Sequence, residues 1–103
     1  MVVTIVVTTP PVRGDFELAA ELAHAARAAG AEVSLFFMDA AVGGLAARRD
    51  AVTALRDTGC ELIACGRTAE AHAVDGDALG IELGSQDDHA ALVHGADRVV
   101  AFT

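Results

Sequence analysis

Uninterrupted apolar runs recur along the chain and predict strands that are buried on both faces. They are VVTIVVT at residues 2–8, AEVSLFF at 31–37, CELIAC at 60–65 and RVVAF at 98–102. A strand covered on both faces lacks the apolar–polar alternation of a half-solvated strand. A weaker segment, ALGIEL at 78–83, is flanked by glycines and fits either a short strand or a turn.

After Asp15 the spacing becomes helical, with apolar side chains on one face and charged ones on another. Asp15 has the side chain of an N-cap, and Gly30 is suited to the position just beyond a helix. The apolar face of this first helix is predicted to contain Leu18, Leu22, Ala25 and Ala29.

Three further helical segments are predicted between the later apolar runs. The second helix spans 45–55 and is stopped by Gly59, and a short third helix covers 68–74. Ser85 and Asp88 have the spacing of a capping box, which predicts that a fourth helix begins there. Strands that alternate with helices through short connections indicate an α/β domain with a mostly parallel sheet and helices on both faces.

The composition bounds the size and the partners of the domain. A chain of 103 residues fits a single domain, 1–103, and 53% of them are hydrophobic, so part of the apolar surface is expected to be covered in a homo-oligomer. The net charge of -8, with seven arginines as the basic residues and no Trp or Tyr, argues against nucleic acid as a partner.

No apolar run approaches the roughly 20 residues that span a bilayer, so no membrane partner is expected. The first residues show neither a basic segment nor a small-residue cleavage site, which argues against a signal peptide. We therefore expect a soluble cytoplasmic protein, in which both cysteines are reduced thiols.

Cys60 and Cys65 open and close the third apolar run. Five strand steps of roughly 3.3 Å and an odd spacing place their side chains far apart and on opposite faces, which excludes a disulfide between them. The spacing is also wrong for a zinc site, and no second ligand pair accompanies it. The fold predicts packing for Cys60, whereas Cys65 lies at the carboxyl end of a parallel strand, where chemistry gathers.

The residues that follow Cys65 suit a reactive thiolate. Gly66 lets the backbone turn, and the N–H groups that begin a helix, together with a cation at Arg67, would lower the pKa of a thiol. A buried cysteine that merely ends a strand is an equally good explanation at this stage. Thr68 can orient the sulfur or simply cap the helix, and Asp39, after the second strand, can line the same site or cap a helix.

Histidines and acidic residues elsewhere give no second catalytic set. His72 follows Cys65 by about two helical turns, roughly 10 Å, which is too far for a direct base. Asp87, Asp88 and His89 are explained by the first turn of a helix. No metal site and no phosphate loop are predicted.

Four segments together resemble the DsrE/DsrF-like sulfur-relay proteins, which include the TusD-type subunits. These segments are VVTIVVTTPP, AEVSLFFMDAAV, CELIACGRTAEA and GADRVVAFT, and the resemblance spans nearly the whole chain. It implies a three-layer α/β/α domain around a parallel five-stranded sheet. It also implies trimers or hexamers, and a persulfide on the cysteine that corresponds to Cys65. His72-Ala73 stands where active members often carry Arg-Gly.

Three hypotheses follow. The first is a small sulfur carrier, or sulfurtransferase, in which Cys65 accepts sulfane sulfur from a donor protein and passes it to an acceptor protein. In this reaction Gly66, Arg67 and Thr68 stabilise the thiolate, and no cofactor is required. The second is a catalytically inert subunit for assembly or regulation. The third is a module that binds a small ligand at the same strand end.

Overall fold

A sheet of five parallel strands forms the centre of the computed structural model, which describes all 103 residues. The strand order is β4-β3-β2-β1-β5, and every neighbouring pair is parallel. The strands are β1 (Val2–Val7), β2 (Glu32–Phe37), β3 (Glu61–Cys65), β4 (Glu82–Gly84) and β5 (Arg98–Phe102). The predicted parallel five-stranded sheet is therefore confirmed.

Helices connect successive strands and cover both faces of the sheet. Two consecutive residues of β2 show the layering, because neighbouring side chains in a strand point to opposite faces. Phe37 stacks on Phe16 of the first helix at 5.8 Å, and Phe36 contacts His89 of the last helix at 5.1 Å between ring centroids. The three-layer architecture is confirmed. The helices are α1 (Asp15–Ala28), α2 (Arg49–Asp57), α3 (Gly66–Ala71), α4 (Gly76–Leu79) and α5 (Gln86–Gly95).

The two faces of the sheet are covered unequally. A cluster of 21 buried residues lies on the side of α1 and α2, whereas α5 on the other side contains no buried residue. The buried hydroxyl of Thr4 helps to fix α5, since it donates to the carbonyl oxygen of Leu92 at 3.0 Å. Val93 of α5 and Val99 of β5 stay 37% and 44% exposed, so this face keeps uncovered apolar surface.

The predicted buried face of α1 is wrong. Leu18, Ala25 and Ala29 are exposed, and the residues that α1 buries are Phe16, Ala19 and Ala23. In an alanine-rich helix apolar residues occur on every side, so the one large aromatic ring, which stacks on β2, determines which side packs inward. Of the four residues in the predicted face, only Leu22 packs against the core, and it is partly buried.

The ends of α1 also differ in part from the prediction. Gly14, with φ of 76°, is the N-cap, and Asp15 is the first helical residue, whose carboxylate accepts a hydrogen bond from the Thr9 hydroxyl at 2.7 Å. Gly30 is confirmed beyond the helix, with φ of 91°, a left-handed conformation that suits glycine.

Other boundaries shift by a few residues. Two short 3-10 turns, Asp39–Gly44 and Ala46–Arg48, precede α2, and the second replaces the first part of the predicted helix 45–55. The segment 78–83 is divided between α4 and β4. The capping box at the start of α5 is confirmed, since the N–H of Ser85 donates to the Asp88 carboxylate at 2.7 Å. None of the helices combines the length and the apolarity needed to cross a membrane.

Candidate active site at the end of β3

Cys65 occupies the junction between β3 and α3. It is the last residue of the strand and the N-cap of the helix, with φ of -60° and ψ of 117°. In the sheet it pairs with Gly84, the last residue of β4, so the start of α5 follows directly beside it. Because β3 ends there, the side chain is partly exposed rather than buried in the core.

The Cys65 side chain opens into a cavity of about 560 Å³ at the carboxyl edge of the sheet. Four residues singled out from the sequence line it together: Cys65, Arg67, Thr68 and Asp39. The other predicted residue, Gly66, is the first residue of α3 and is not one of the residues that line the cavity. The structure adds four lining residues that sequence reasoning did not assign to the site: Gly84, Ser85, Gln86 and Asp87.

The pKa of Cys65 lies below that of an ordinary cysteine thiol. The largest cause is hydrogen bonding from the Thr68 side chain, followed by hydrogen bonding from the Thr68 backbone N–H. Partial desolvation opposes these effects, while the Arg67 N–H and the Gln86 side chain add to them.

Arg67 and Gly66 act differently from what the sequence suggests. Arg67 favours the thiolate through its backbone N–H, and the guanidinium charge is not among the causes of the lowered pKa. The turn at Gly66 does not require glycine, because an added Cβ would meet only ordinary contacts, 3.4 Å from the Gly84 carbonyl oxygen and 3.7 Å from Leu83. The predicted need for conformational freedom at Gly66 is therefore wrong.

Asp39 brings a carboxylate to the cavity from the segment that follows β2. Met38 is the N-cap of the adjoining 3-10 turn, and no side chain caps that turn, so Asp39 does not act as the cap considered from the sequence. Its φ of 53° is left-handed, a conformation that costs of order 1 kcal/mol outside glycine and that aspartate tolerates better than most residues.

Cys60 lies in a contrasting environment at the other end of the strand. Both cysteines are free thiols, but Cys60 is only 7% exposed and packs in the main core with Leu62 and Ala64. Burial raises the pKa of Cys60, and the hydrogen bond with Thr58 and the charge of Arg27 oppose this only in part. The predicted packing of Cys60 is thus observed.

The histidines lie away from the cavity lining. His72 is exposed, and its Nδ1 would lie 3.2 Å from a Cβ added at Gly43, which places the ring against the 3-10 turn after β2. His89 packs on Phe36, and His24 lies 3.5 Å from the Thr58 hydroxyl. No group of three or more His, Cys, Asp or Glu side chains has the arrangement of a metal site.

These observations define the class of protein, which is a parallel α/β/α domain with a partly exposed cysteine at the end of its third strand. The chain belongs to the DsrE/DsrF-like family, whose model matches residues 1–102.

Two solved structures share the fold. The YchN protein from Escherichia coli aligns with a TM-score of 0.81 and 21% identity, over 98% of this chain and 97% of that chain. BT1422 from Bacteroides thetaiotaomicron, described as a conserved protein of unknown function, aligns with a TM-score of 0.80 and 18% identity, over 98% and 94%. No curated protein matches the sequence.

Proposed function

We propose that this protein is a sulfur carrier that accepts sulfane sulfur as a persulfide on Cys65 and passes it to a partner protein. The observation that carries the proposal is a partly exposed thiol with a lowered pKa that opens into a cavity at the carboxyl edge of the sheet. A thiolate is the nucleophile in sulfur exchange, so these are the properties that such a cysteine needs.

The proposed reaction transfers one sulfur without net oxidation. The Cys65 thiolate attacks the terminal sulfur of a donor persulfide, R–S–SH, and the S–S bond of the donor breaks. The products are Cys65–S–SH and the donor thiolate, R–S⁻, which leaves with the electron pair of the broken bond. Delivery is the same exchange in the opposite role, because an acceptor thiolate takes the terminal sulfur and Cys65 departs as a thiolate. Neither step requires a metal or an organic cofactor.

The residues around Cys65 have distinct parts in this proposal. Thr68 stabilises the thiolate through its hydroxyl and its N–H, and the backbone that runs from Gly66 through Arg67 supplies a further donor. The Arg67 side chain and the Asp39 carboxylate line the cavity, so they contact whatever group the donor brings.

The proposal includes a homo-oligomer, either a trimer or a hexamer, in the cytoplasm. Its support is the uneven covering of the sheet, since α5 buries none of its own residues and leaves Val93 and Val99 exposed. A second copy would cover this surface. Donor and acceptor proteins would then approach the cavity, which lies at the first turn of α5, whereas Val93 lies near its last turn.

A second candidate, a small-ligand binding module, is favoured by the cavity itself, whose lining residues are mostly of polar or charged types. In that case Cys65 would be one lining residue among several. The inert-subunit hypothesis is disfavoured, because it needs a buried Cys65 and the side chain is partly exposed.

Incubation with a sulfane-sulfur donor such as polysulfide, followed by intact-mass measurement, tests the carrier. The wild type is expected to gain one sulfur that reductant removes. Cys65→Ser should gain none, whereas the matched variant Cys60→Ser should load like the wild type. Loading that persists in Cys65→Ser, or none in the wild type, would refute the carrier and leave the binding module.

A further inference from the structure

The start of α5 contributes a side chain to the cysteine site that the sequence pattern did not connect with it. Gln86 is the first residue of α5 and lines the same cavity as Cys65. The connection is topological: Cys65 pairs with Gly84 across the β3–β4 ladder, and only Ser85 separates Gly84 from Gln86. The chain therefore carries Gln86 past the thiol as it leaves the sheet.

Two contacts fix this arrangement. The Ser85 N–H donates to the Asp88 carboxylate at 2.7 Å, and the Asp88 N–H donates to the Ser85 hydroxyl at 3.4 Å, so the first turn of α5 is held from both sides. Gly84 allows that turn to lie close to the sheet, because an added Cβ would come within 2.7 Å of both Asp88 Oδ2 and Ile63 Cγ2. The Gln86 side chain is thus attached to a constrained backbone rather than to a loose loop.

Gln86 is well suited to act as a donor within the cavity. The charged groups that line the cavity with Cys65 are Asp39 from the segment after β2, Arg67 from α3 and Asp87 from α5. Two of these three are carboxylates, which cannot donate when ionised. The Gln86 amide carries two N–H donors and no charge, and it is among the groups that lower the pKa of Cys65.

We propose that Gln86 is a positioning residue for the reacting sulfur, whose amide donates to the Cys65 thiolate and then to the terminal sulfur of its persulfide. The persulfide extends about 2 Å beyond Sγ, the length of an S–S bond, into the cavity that Gln86 lines. Thr68 acts on Sγ from α3, and Gln86 acts from α5, so the sulfur is held between two helices. The persulfide part rests on the proposed function, whereas the thiolate part does not.

The test uses Gln86→Met, which keeps the side-chain length without the donor, and Gln86→Glu, which replaces the amide by a carboxylate. Glutamate is favourable in the first turn of a helix, so Gln86→Glu should fold at least as well as the wild type. His94→Gln, a neutral substitution at the far end of α5, is the control. The first readout is the pH profile of iodoacetamide alkylation at Cys65, which needs no sulfur donor.

Alkylation of Cys65 at pH 7 should fall about twofold in Gln86→Met, since Gln86 is the smallest of the causes that lower the pKa of Cys65, and further in Gln86→Glu, with both pH profiles shifted upward. Persulfide formed with polysulfide should be lost to a thiol acceptor at a rate changed by a similar factor, while His94→Gln matches the wild type. Alkylation profiles of both variants that coincide with the wild type would overturn the proposal, whether or not the protein carries sulfur. A wild type that alkylates as expected but takes up no sulfur would instead count against the carrier function alone.

Discussion

Cys60 precedes β3 and Cys65 ends it, so one strand of the sheet separates two thiols in opposite surroundings. Cys60 is buried in the main core and the pKa of its thiol is raised, chiefly by desolvation. Cys65 opens into the cavity, and neighbouring donors lower the pKa of its thiol. The contrast follows the polarity of a parallel sheet, in which the carboxyl ends of the strands face the loops that build sites.

A threonine lies near each cysteine, and the two hydroxyls act in different surroundings. The Thr58 hydroxyl donates to the carbonyl oxygen of Leu55 at 2.9 Å and lies 3.8 Å from Cys60 Sγ, a contact in which either atom can be the donor. This contact lowers the pKa of Cys60, but burial raises it by more. The Thr68 hydroxyl is the largest cause of the lowered pKa of Cys65, where burial has a smaller effect. Both threonines therefore favour the thiolate, and burial decides the outcome at Cys60.

The largest expected difference between the two ends is in reactivity. At pH 7 we expect iodoacetamide to modify Cys65 faster than Cys60 by a factor on the order of a hundred, because burial and the raised pKa of Cys60 act together. Peptide mass spectrometry after timed quenching measures both rates. In denaturing urea the rates should converge, and equal rates in the folded protein would contradict the comparison.

The second difference is in stability. Cys60→Ala removes a packed sulfur from the core and should lower the free energy of unfolding by about 1–2 kcal/mol. Cys65→Ala removes a partly exposed sulfur and should change it by less than about 0.5 kcal/mol. Urea unfolding in the presence of reductant compares the two variants. A larger loss for Cys65→Ala would mean that Cys65 is a packing residue after all.

The third difference tests the two hydroxyls. Thr68→Val, close in shape to threonine, removes the largest contribution to the lowered pKa of Cys65 and should slow its alkylation at pH 7 by about threefold to tenfold. Thr58→Val is the matched change at the other end of β3 and should leave the Cys65 rate as it is. If the two variants have the same Cys65 rate, the donor role of Thr68 is wrong.

The smallest expected effect is on the pH dependence of stability, to which the two cysteines contribute with opposite signs. The folded-state pKa of Cys60 is raised above its usual 9.0, so its contribution to stability is present below about pH 9 and is lost as the pH rises through the folded value. The pKa of Cys65 is lowered, so its contribution is present above about pH 9 and is lost as the pH falls through the folded value.

Urea midpoints measured between pH 7.5 and pH 10 with reductant present should show this difference. Over that range Cys60→Ser should lose less stability than the wild type, and Cys65→Ser should lose more. Slopes of the same sign relative to the wild type would show that at least one of the two pKa shifts has the wrong direction.

The strands, the three-layer class and the start of α5 could be predicted because each has a strong local signal. Buried parallel strands give unbroken apolar runs, and Ser85 with Asp88 gives a capping box. The rotation of α1 could not be predicted, since its alanines give little contrast between faces and Phe16 finds Phe37 only in the folded protein.

Only the part of the candidate site that follows β2 and β3 could be predicted from the sequence. Cys65, Arg67 and Thr68 are near in sequence, and Asp39 follows the adjacent strand. The position of Gln86 in the site depends on strand order, because Gln86 reaches the cavity only if the three-residue strand β4 pairs with β3. That pairing rests on long-range packing, and the segment 78–83 is too short to reveal it.

The strand order also affects how a newly made chain assembles. β1 is synthesised before β5, with three other strands between them in the chain, yet β1 and β5 pair side by side in the sheet. One edge of β1 therefore stays unpaired until residues 98–102 have been made, and an unpaired apolar edge readily adds to a strand of another chain. Aggregation is thus expected to begin at β1 in any chain whose last strand is delayed or lost.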